Sequence, residues 1–247
     1  MFPIDRIRVE MVEECASTNT EIIGRASGHH GILLVARKQT QGAGRRGRTW
    51  FTPEGNLACT LALDLQQQSH SFLLPWIPFW MGVALFEAVK EFLPKDEQAK
   101  LTLKWPNDLY WGGKKMAGML TQVRHQGEQI RAAAGVGLNL QTVPEEKLSH
   151  PAVSLQEAMK SVAPSLETFV AKFTEQLLKN NPEDLLALKQ SWQERSQMIG
   201  RKIRFGNLDN PKSMQEAHVV GLTNDGSLRV LTKGREAHIS SDDVSLR

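Results

Sequence analysis

The sequence predicts an α/β (α+β) unit built on a mixed sheet with helices, followed by a small all-β unit. Three observations carry that expectation. Apolar runs of strand length alternate with helical patterns from residue 7 to about residue 196. Beyond residue 197 only short β-rich runs remain. Turn chemistry such as Asn224-Asp225-Gly226 separates those runs, at the spacing of a small barrel of about 50 residues. The expected division is therefore 1–196 and 197–247.

Residues 7–12 read as a short strand leading to Ser17-Thr18-Asn19-Thr20-Glu21. Thr18 and Glu21 have the spacing of a capping box, so a helix is expected from Thr18 to about Ala26. Residues 32–36 form a buried strand, and the polar, glycine-rich stretch 39–55 has no helical period. A strand at 57–65 and an apolar helix at 77–92 follow. The strand 101–104 meets a turn at Trp105-Pro106-Asn107-Asp108. Gly112-Gly113 supplies hairpin chemistry between 109–111 and the chain from Lys114 onward. Strands 116–124 and 130–138 are joined by Gln126-Gly127-Glu128, and helices are expected at 154–160, 166–179 and 183–195. Four β-rich runs, 202–205, 216–222, 227–231 and 236–239, make the last unit.

With 247 residues, 40% hydrophobic and 23% charged, the chain has the composition of a soluble globular protein. A formal charge of +3 suits anionic substrates, whereas a dedicated nucleic-acid binder carries a longer basic face. Cys15 and Cys59 belong to no CxxC pair, so neither a disulfide scaffold nor a zinc ribbon is expected, and the reducing cytoplasm is the expected home. The N-terminus lacks the apolar core of a signal peptide. Residues 72–86 are uncharged and mostly apolar, but they fall short of the ~18 residues of a spanning helix. They also contain Pro75 and Pro78 and run into Glu87, Lys90 and Glu91, so they read as the start of a buried helix, with no membrane involved.

The segment from Gly42 to Trp50, Gly-Ala-Gly-Arg-Arg-Gly-Arg-Thr-Trp, is the most informative. It matches GxGxxG through Gly42, Gly44 and Gly47, and it matches a Walker A loop with arginine in the lysine position. Both motifs need a loop that ends a strand and opens a helix. Here Phe51-Thr52-Pro53-Glu54-Gly55, a turn, comes next, so both readings fail on context. Glycine lets backbone amides approach a ligand, and Arg45, Arg46 and Arg48 supply fixed charge and forked donors. The bland alternative is a solvated basic loop or an RNA-contacting patch.

Two further segments have both a structural and a functional reading. Lys104-Trp105-Pro106-Asn107-Asp108, continued by Lys114-Lys115-Met116-Ala117-Gly118, is either a turn with a solvated lysine pair or a set of polar groups meeting a nucleotide or magnesium. Gly135-Val136-Gly137-Leu138-Asn139 is either a strand with packing glycines or a close backbone approach to a ligand.

In order, these pieces resemble the biotin protein ligase family, with its arginine–glycine loop ending in Trp, KWPND, K-x-A-G strand and G-x-G-x-N. Ser17-Thr18-Asn19 stands upstream where the family has the same tripeptide. The resemblance implies a class II synthetase-like mixed sheet at 1–196 as the catalytic, biotin- and ATP-binding domain, and an SH3-like domain at 197–247. It implies that Ser17, Thr18 and Gln39 hydrogen-bond the ureido ring of biotin, with Asn19 beside them, and that Arg45 and Lys115 hold the biotin carboxylate and the α-phosphate. Gly135 and Gly137 would line the biotin pocket. Gly42, Ala43, Gly44, Arg48 and Trp50 would belong to the ligand-binding loop, and Asn107, Asp108 and Asn139 would face ATP. For Thr18 the capping box stays open as a rival. The chain departs from the family in having Ala43 where the family has arginine, and in having Pro151-Ala152-Val153 where an aromatic or apolar residue lies near adenine. Bifunctional members carry an N-terminal helix-turn-helix domain, for which no room is expected before Ser17. The resemblance leaves a homodimer open.

The implied reaction explains the residue types. A carboxylate is a poor electrophile until it attacks the α-phosphorus of ATP, giving biotinyl-AMP and pyrophosphate. Arg45, Lys115 and Mg²⁺ would offset the repulsion between the two anions, with no all-protein metal site expected. A lysine of a biotin carboxyl carrier protein, as in acetyl-CoA carboxylase, then takes the acyl group, and Asp108 is open as base or as positioning group. The rival readings are a lipoate or other acyl ligase on the same scaffold and a nucleic-acid binder using Arg45, Arg46 and Arg48.

Overall fold

The structure, a computed structural model, describes residues 2, 4–25, 28–144, 150–181, 184–206, 214–240 and 243–246, leaving aside the side chains of 243, 245 and 246. The helix end expected at Ala26 and the helix start expected at Glu183 lie outside the described residues.

Seven strands form the main sheet: β1 (Arg8–Cys15), β2 (Ile32–Gln39), β3 (Leu57–Gln66), β4 (Leu101–Lys104), β5 (Asp108–Trp111), β6 (Lys114–Gln126) and β7 (Gln129–Leu138). Their order is β1-β2-β3-β7-β6-β5-β4, with β1 parallel to β2 and every other pair antiparallel. The helices are α1 (Thr18–Gly24), the single turn α2 (Gln67–His70), α3 (Ile77–Phe92), α4 (Leu155–Met159), α5 (Leu166–Lys179) and α6 (Leu185–Ser196). This is the mixed α/β unit expected.

The two faces of the sheet differ in side-chain size, and that difference places the cleft. On β3 and β7, Leu57, Cys59, Leu61 and Leu63 pair with Leu138, Val136, Ala134 and Ala132, and all sit in the main core. Strand alternation turns Ala58, Thr60 and Ala62 to the opposite face, opposite Gly137, Gly135 and Ala133. The large-residue face is covered by α3, whose Gly82 lets Leu103 and Met119 approach closely. Trp80 and Phe173 are fully buried there; each aromatic side chain of this size removes roughly 150–250 Å² of surface from water. The small-residue face is only partly covered, by α1 through Ile22 on Leu34, Ala62 and Ala133. Gly135 and Gly137 lie beyond that patch.

The apolar stretch Gln67–Phe92 passes the length and hydropathy test for a membrane span, but 72% of its most apolar window is buried inside the protein. It is the core helix that the prolines and flanking charges suggested.

The second sheet holds β8 (Lys202–Gly206), β9 (Gln215–Leu222), β10 (Leu228–Thr232), β11 (Arg235–Ile239) and β12 (Asp243–Leu246), all antiparallel in the order β11-β10-β9-β8-β12. Four strands were expected. The fifth, β12, is four residues long, too short for its alternation to stand out from a turn. The two sheets share one core: Trp76 Nε1 donates to Asn224 O at 3.0 Å, and Trp105 Nε1 donates to Gly226 O at 3.0 Å.

Candidate functional site: a cationic cleft over a glycine floor

A cleft of about 800 Å³ opens on the small-residue face. Its upper wall is the arginine–glycine loop, folded back on itself. Trp50 N donates to Gly42 O at 2.8 Å and Gly44 N to Arg48 O at 2.7 Å, and Ala43 bridges Thr49. Arg45, Arg46 and Gly47 make one tight turn in which Arg46 and Gly47 take φ of 56° and 73°. No helix follows the loop, which removes the dinucleotide and P-loop readings. Ala43, Gly44, Arg45, Arg48 and Trp50 face the cleft. Gly42 is not among the residues that line it. A Cβ there would lie 2.2 Å from Trp50 O, so this glycine is needed to close the hairpin.

The floor is Gly118, Gly135 and Gly137. A Cβ on Gly137 would lie 2.2 Å from Trp50 Nε1, and one on Gly135 would lie 2.1 Å from Asn19 Oδ1. These glycines line the cleft, and the want of a Cβ at Gly135 and Gly137 is explained by the protein's own amide and indole.

Lys115 reaches the cleft through a register shift. Leu109 pairs with Ala117, but Tyr110 pairs with Lys115, leaving Met116 as the extra residue. Regular alternation would put Lys115 on the core side with Ala117; the bulge returns it to the side of Gly118 and Asp108. There Lys115 Nζ lies 2.7 Å from Asp108 Oδ1 and 5.6 Å from the centroid of the Trp50 ring. Arg45 donates to Asn107 Oδ1 at 3.2 Å, and Asn107 Nδ2 donates in turn to Met119 O. Asn139, 4% exposed, lines the cleft while its backbone and amide join β6 to the start of α4 through Met116 O, Leu155 N and Val153 O.

The far end is polar. Ser17 and Thr18 are both buried at the start of α1. Ser17 has the N-cap geometry and makes no side-chain cap bond. The capping box expected at Thr18 and Glu21 is therefore absent, because Thr18 is already helical and its side chain turns elsewhere. Thr18 donates to Gln39 Oε1 from its backbone at 2.8 Å and from its hydroxyl at 3.1 Å, while Gln39 Nε2 donates to Thr52 Oγ1 at 3.2 Å. The capping box is found instead at Ser154 and Glu157.

Sequence reasoning missed several participants. Lys104 lies over the Tyr110 ring at 4.8 Å and donates to its hydroxyl at 3.3 Å; both line the cleft. Burial, followed by the charge of Asp108, pushes the Tyr110 phenol up, so it stays protonated. Half-buried His150 lines the cleft too; burial, then Lys104, Lys115 and Arg48, holds its imidazole below the usual value. Val244 of β12 brings the second sheet to the cleft. Cys59 lines it from below, its thiol pushed well up by burial. Asp108 is the sole carboxylate among the described lining residues, and no group of three or more His, Cys, Asp or Glu gathers among the described residues.

A cationic wall, a hydroxyl-and-amide end and a flat floor in one cleft define a protein that binds small anions carrying hydrogen-bonding groups. The comparisons are specific. The biotin/lipoate A/B protein ligase family model matches residues 11–139. Over 202 residues the chain is 33% identical to the biotin–acetyl-CoA-carboxylase ligase of Paracoccus denitrificans, covering 78% of this chain and 82% of that one. It is 28% identical to the enzyme of the same name from Mycobacterium tuberculosis, covering 96% and 88%. Among solved structures, a biotin protein ligase from Aquifex aeolicus in complex with biotin and ATP superposes with a TM-score of 0.76 at 25% identity, covering 97% of this chain and 98% of that one. The chain belongs to the biotin/lipoate A/B protein ligase family.

Proposed function

We propose that this chain activates biotin with ATP to biotinyl-5'-AMP and transfers the biotinyl group to a lysine of the biotin carboxyl carrier protein of acetyl-CoA carboxylase. The observation that carries this reading is the meeting of Lys115 and Arg45 with the Ser17–Thr18–Gln39 end over one glycine floor. A ring with N–H and C=O groups fits the polar end, and its carboxylate then points to the cations.

In the first step a carboxylate oxygen attacks the α-phosphorus, and the bond from that phosphorus to the bridging oxygen breaks to release pyrophosphate. Lys115 and Arg45 screen the two anions from each other and stabilise charge on the phosphoryl oxygens. Asp108 and Asn107 hold those two cations in place, so Asp108 acts here by positioning Lys115. Magnesium fits as a companion of the nucleotide, since a hard cation of this kind takes one or two carboxylates and otherwise phosphate and water. Asp108 would be its protein ligand, and it would supply further positive charge at the phosphates. In the second step the acceptor amine attacks the acyl carbon, AMP leaves, and the amine proton passes to solvent or to a nearby base.

On this reading 1–196 is the catalytic domain, 197–247 is the SH3-like domain that completes the cleft through Val244, and the protein works in the cytoplasm, where Cys15 and Cys59 stay free thiols. The test is incubation with labelled biotin, ATP and a biotin carboxyl carrier domain. Label on the carrier's lysine, dependent on ATP, supports the reading; no label from biotin, with ATP-dependent label when labelled lipoate and a lipoyl carrier domain replace it, would move the chain to the other branch of its family.

A further inference from the structure

Thr60 stands in the middle of β3, among apolar residues, with no exposed surface, yet its hydroxyl lies 2.8 Å from Thr18 Oγ1 and 2.6 Å from Asn19 Oδ1. The orientation of both neighbouring amides is settled by groups that have only one role. Leu120 O can only accept, so Asn19 turns its Nδ2 to it at 3.0 Å and its Oδ1 to Thr60. The Thr18 N–H can only donate, so Gln39 turns its Oε1 to it. Asn19 Oδ1 can only accept, so the single Thr60 hydrogen goes to it, and the one Thr18 hydroxyl hydrogen serves either Thr60 Oγ1 at 2.8 Å or Gln39 Oε1 at 3.1 Å, both inside the protein. In either arrangement the one hydrogen on Thr18 is already used inside the protein. What Thr18 presents to the cleft is an acceptor.

We propose that Thr60 is a positioning residue that holds Thr18 as a hydrogen-bond acceptor and Asn19 over Gly135, and so makes this end of the cleft selective for a ring bearing an N–H donor. The inference rests on the biotin reading above, in which that ring is the ureido ring. Thr60 is not among the residues lining the cleft and acts only through Thr18 and Asn19. Without its hydroxyl, Asn19 Oδ1 loses its buried donor and the Thr18 side chain loses its inner partner, so each is held only by its remaining bond, Asn19 to Leu120 O and Thr18 to Gln39 Oε1.

The experiment compares steady-state biotin KM, ATP KM and kcat for the intact chain, Thr60→Val, Thr60→Ala and Thr60→Ser, with thermal midpoints. Thr60→Val and Thr60→Ala are expected to raise biotin KM about tenfold. ATP KM and kcat at saturating biotin should stay within about twofold, and Thr60→Ser should restore biotin KM because it keeps the hydroxyl. Alanine is the fallback where valine packs poorly, so a single misfolded variant does not remove the test. Biotin KM unchanged in folded Thr60→Ala, or biotin and ATP KM rising together, overturns the inference. An intact chain with no biotin-dependent turnover overturns the biotin reading itself, a different result.

Discussion

Lys115 Nζ sits 2.7 Å from Asp108 Oδ1, a contact made between neighbouring strands only because Met116 bulges out of register. Both side chains are mostly shielded, at 25% and 17% exposure, so the pair is a held geometry more than a solvated surface bridge. Its neighbour Lys114 is exposed at the hairpin.

That difference gives the first prediction. Lys115→Ala should slow biotin-dependent adenylate formation by roughly a hundredfold, or ~3 kcal/mol of transition-state stabilisation. Lys114→Ala should change it by less than about twofold, since exposed positions away from a site usually cost little. Single-turnover adenylate formation reads both, and equal losses in the two variants would falsify the assignment of Lys115.

Gly137→Ala puts a methyl group where Trp50 Nε1 now lies, at 2.2 Å. The indole has to leave and the loop from Gly42 to Trp50 loses its anchor. Trypsin should then cut after Arg45, Arg46 or Arg48 faster by roughly tenfold, as expected when a local opening equilibrium shifts by about 1.4 kcal/mol. Unchanged cleavage would mean that the indole is not what holds the loop.

The register shift, Thr60 and Gly137 show where the sequence stopped being legible. The strand at Leu101–Lys104 and the helices at Ile77–Phe92 and Leu166–Lys179 were readable residue for residue, because each carries its own period and its own stop. The site motifs were readable as motifs. What they pack against was not, since Gly135 answers to Asn19 and Gly137 to Trp50 across more than eighty residues of chain. Thr60 had one faint signal, a lone hydroxyl inside the apolar run from Leu57 to Leu65. Thr18 misled for a related reason: its spacing to Glu21 satisfies a local rule, but Gln39, brought alongside by β2, takes the hydroxyl.

His150 gives a pH prediction. Burial, then Lys104, Lys115 and Arg48, holds its folded pKa below the ordinary 6.5. Between the two values the unfolded chain binds more protons than the folded one. Stability linked to His150 is therefore full above about pH 6.5 and is lost as pH falls through that value towards the folded pKa. Urea unfolding from about pH 7.5 to about pH 5 should show a steeper loss in the intact protein than in His150→Gln. Parallel curves would mean that this imidazole does not contribute.

Truncation after Ser196 bears on the second sheet. It removes the carbonyls of Asn224 and Gly226 that accept from the Trp76 and Trp105 indoles, and it takes Gly226 away from the Phe79 ring. Exposure on that scale costs several kcal/mol, so the cooperative thermal transition of the remaining chain should fall sharply or vanish, and ligation should be lost with it. A truncated chain that melts at the full-length temperature would show the first sheet to be self-sufficient.

If Lys115 and Arg45 activate the carboxylate of biotin, biotin-dependent ATP–pyrophosphate exchange reads that step without the acceptor protein. Exchange should require biotin, gain nothing from lipoate, and fall by roughly a hundredfold in Lys115→Ala. Exchange driven by lipoate, or exchange that persists undiminished in Lys115→Ala, would contradict it.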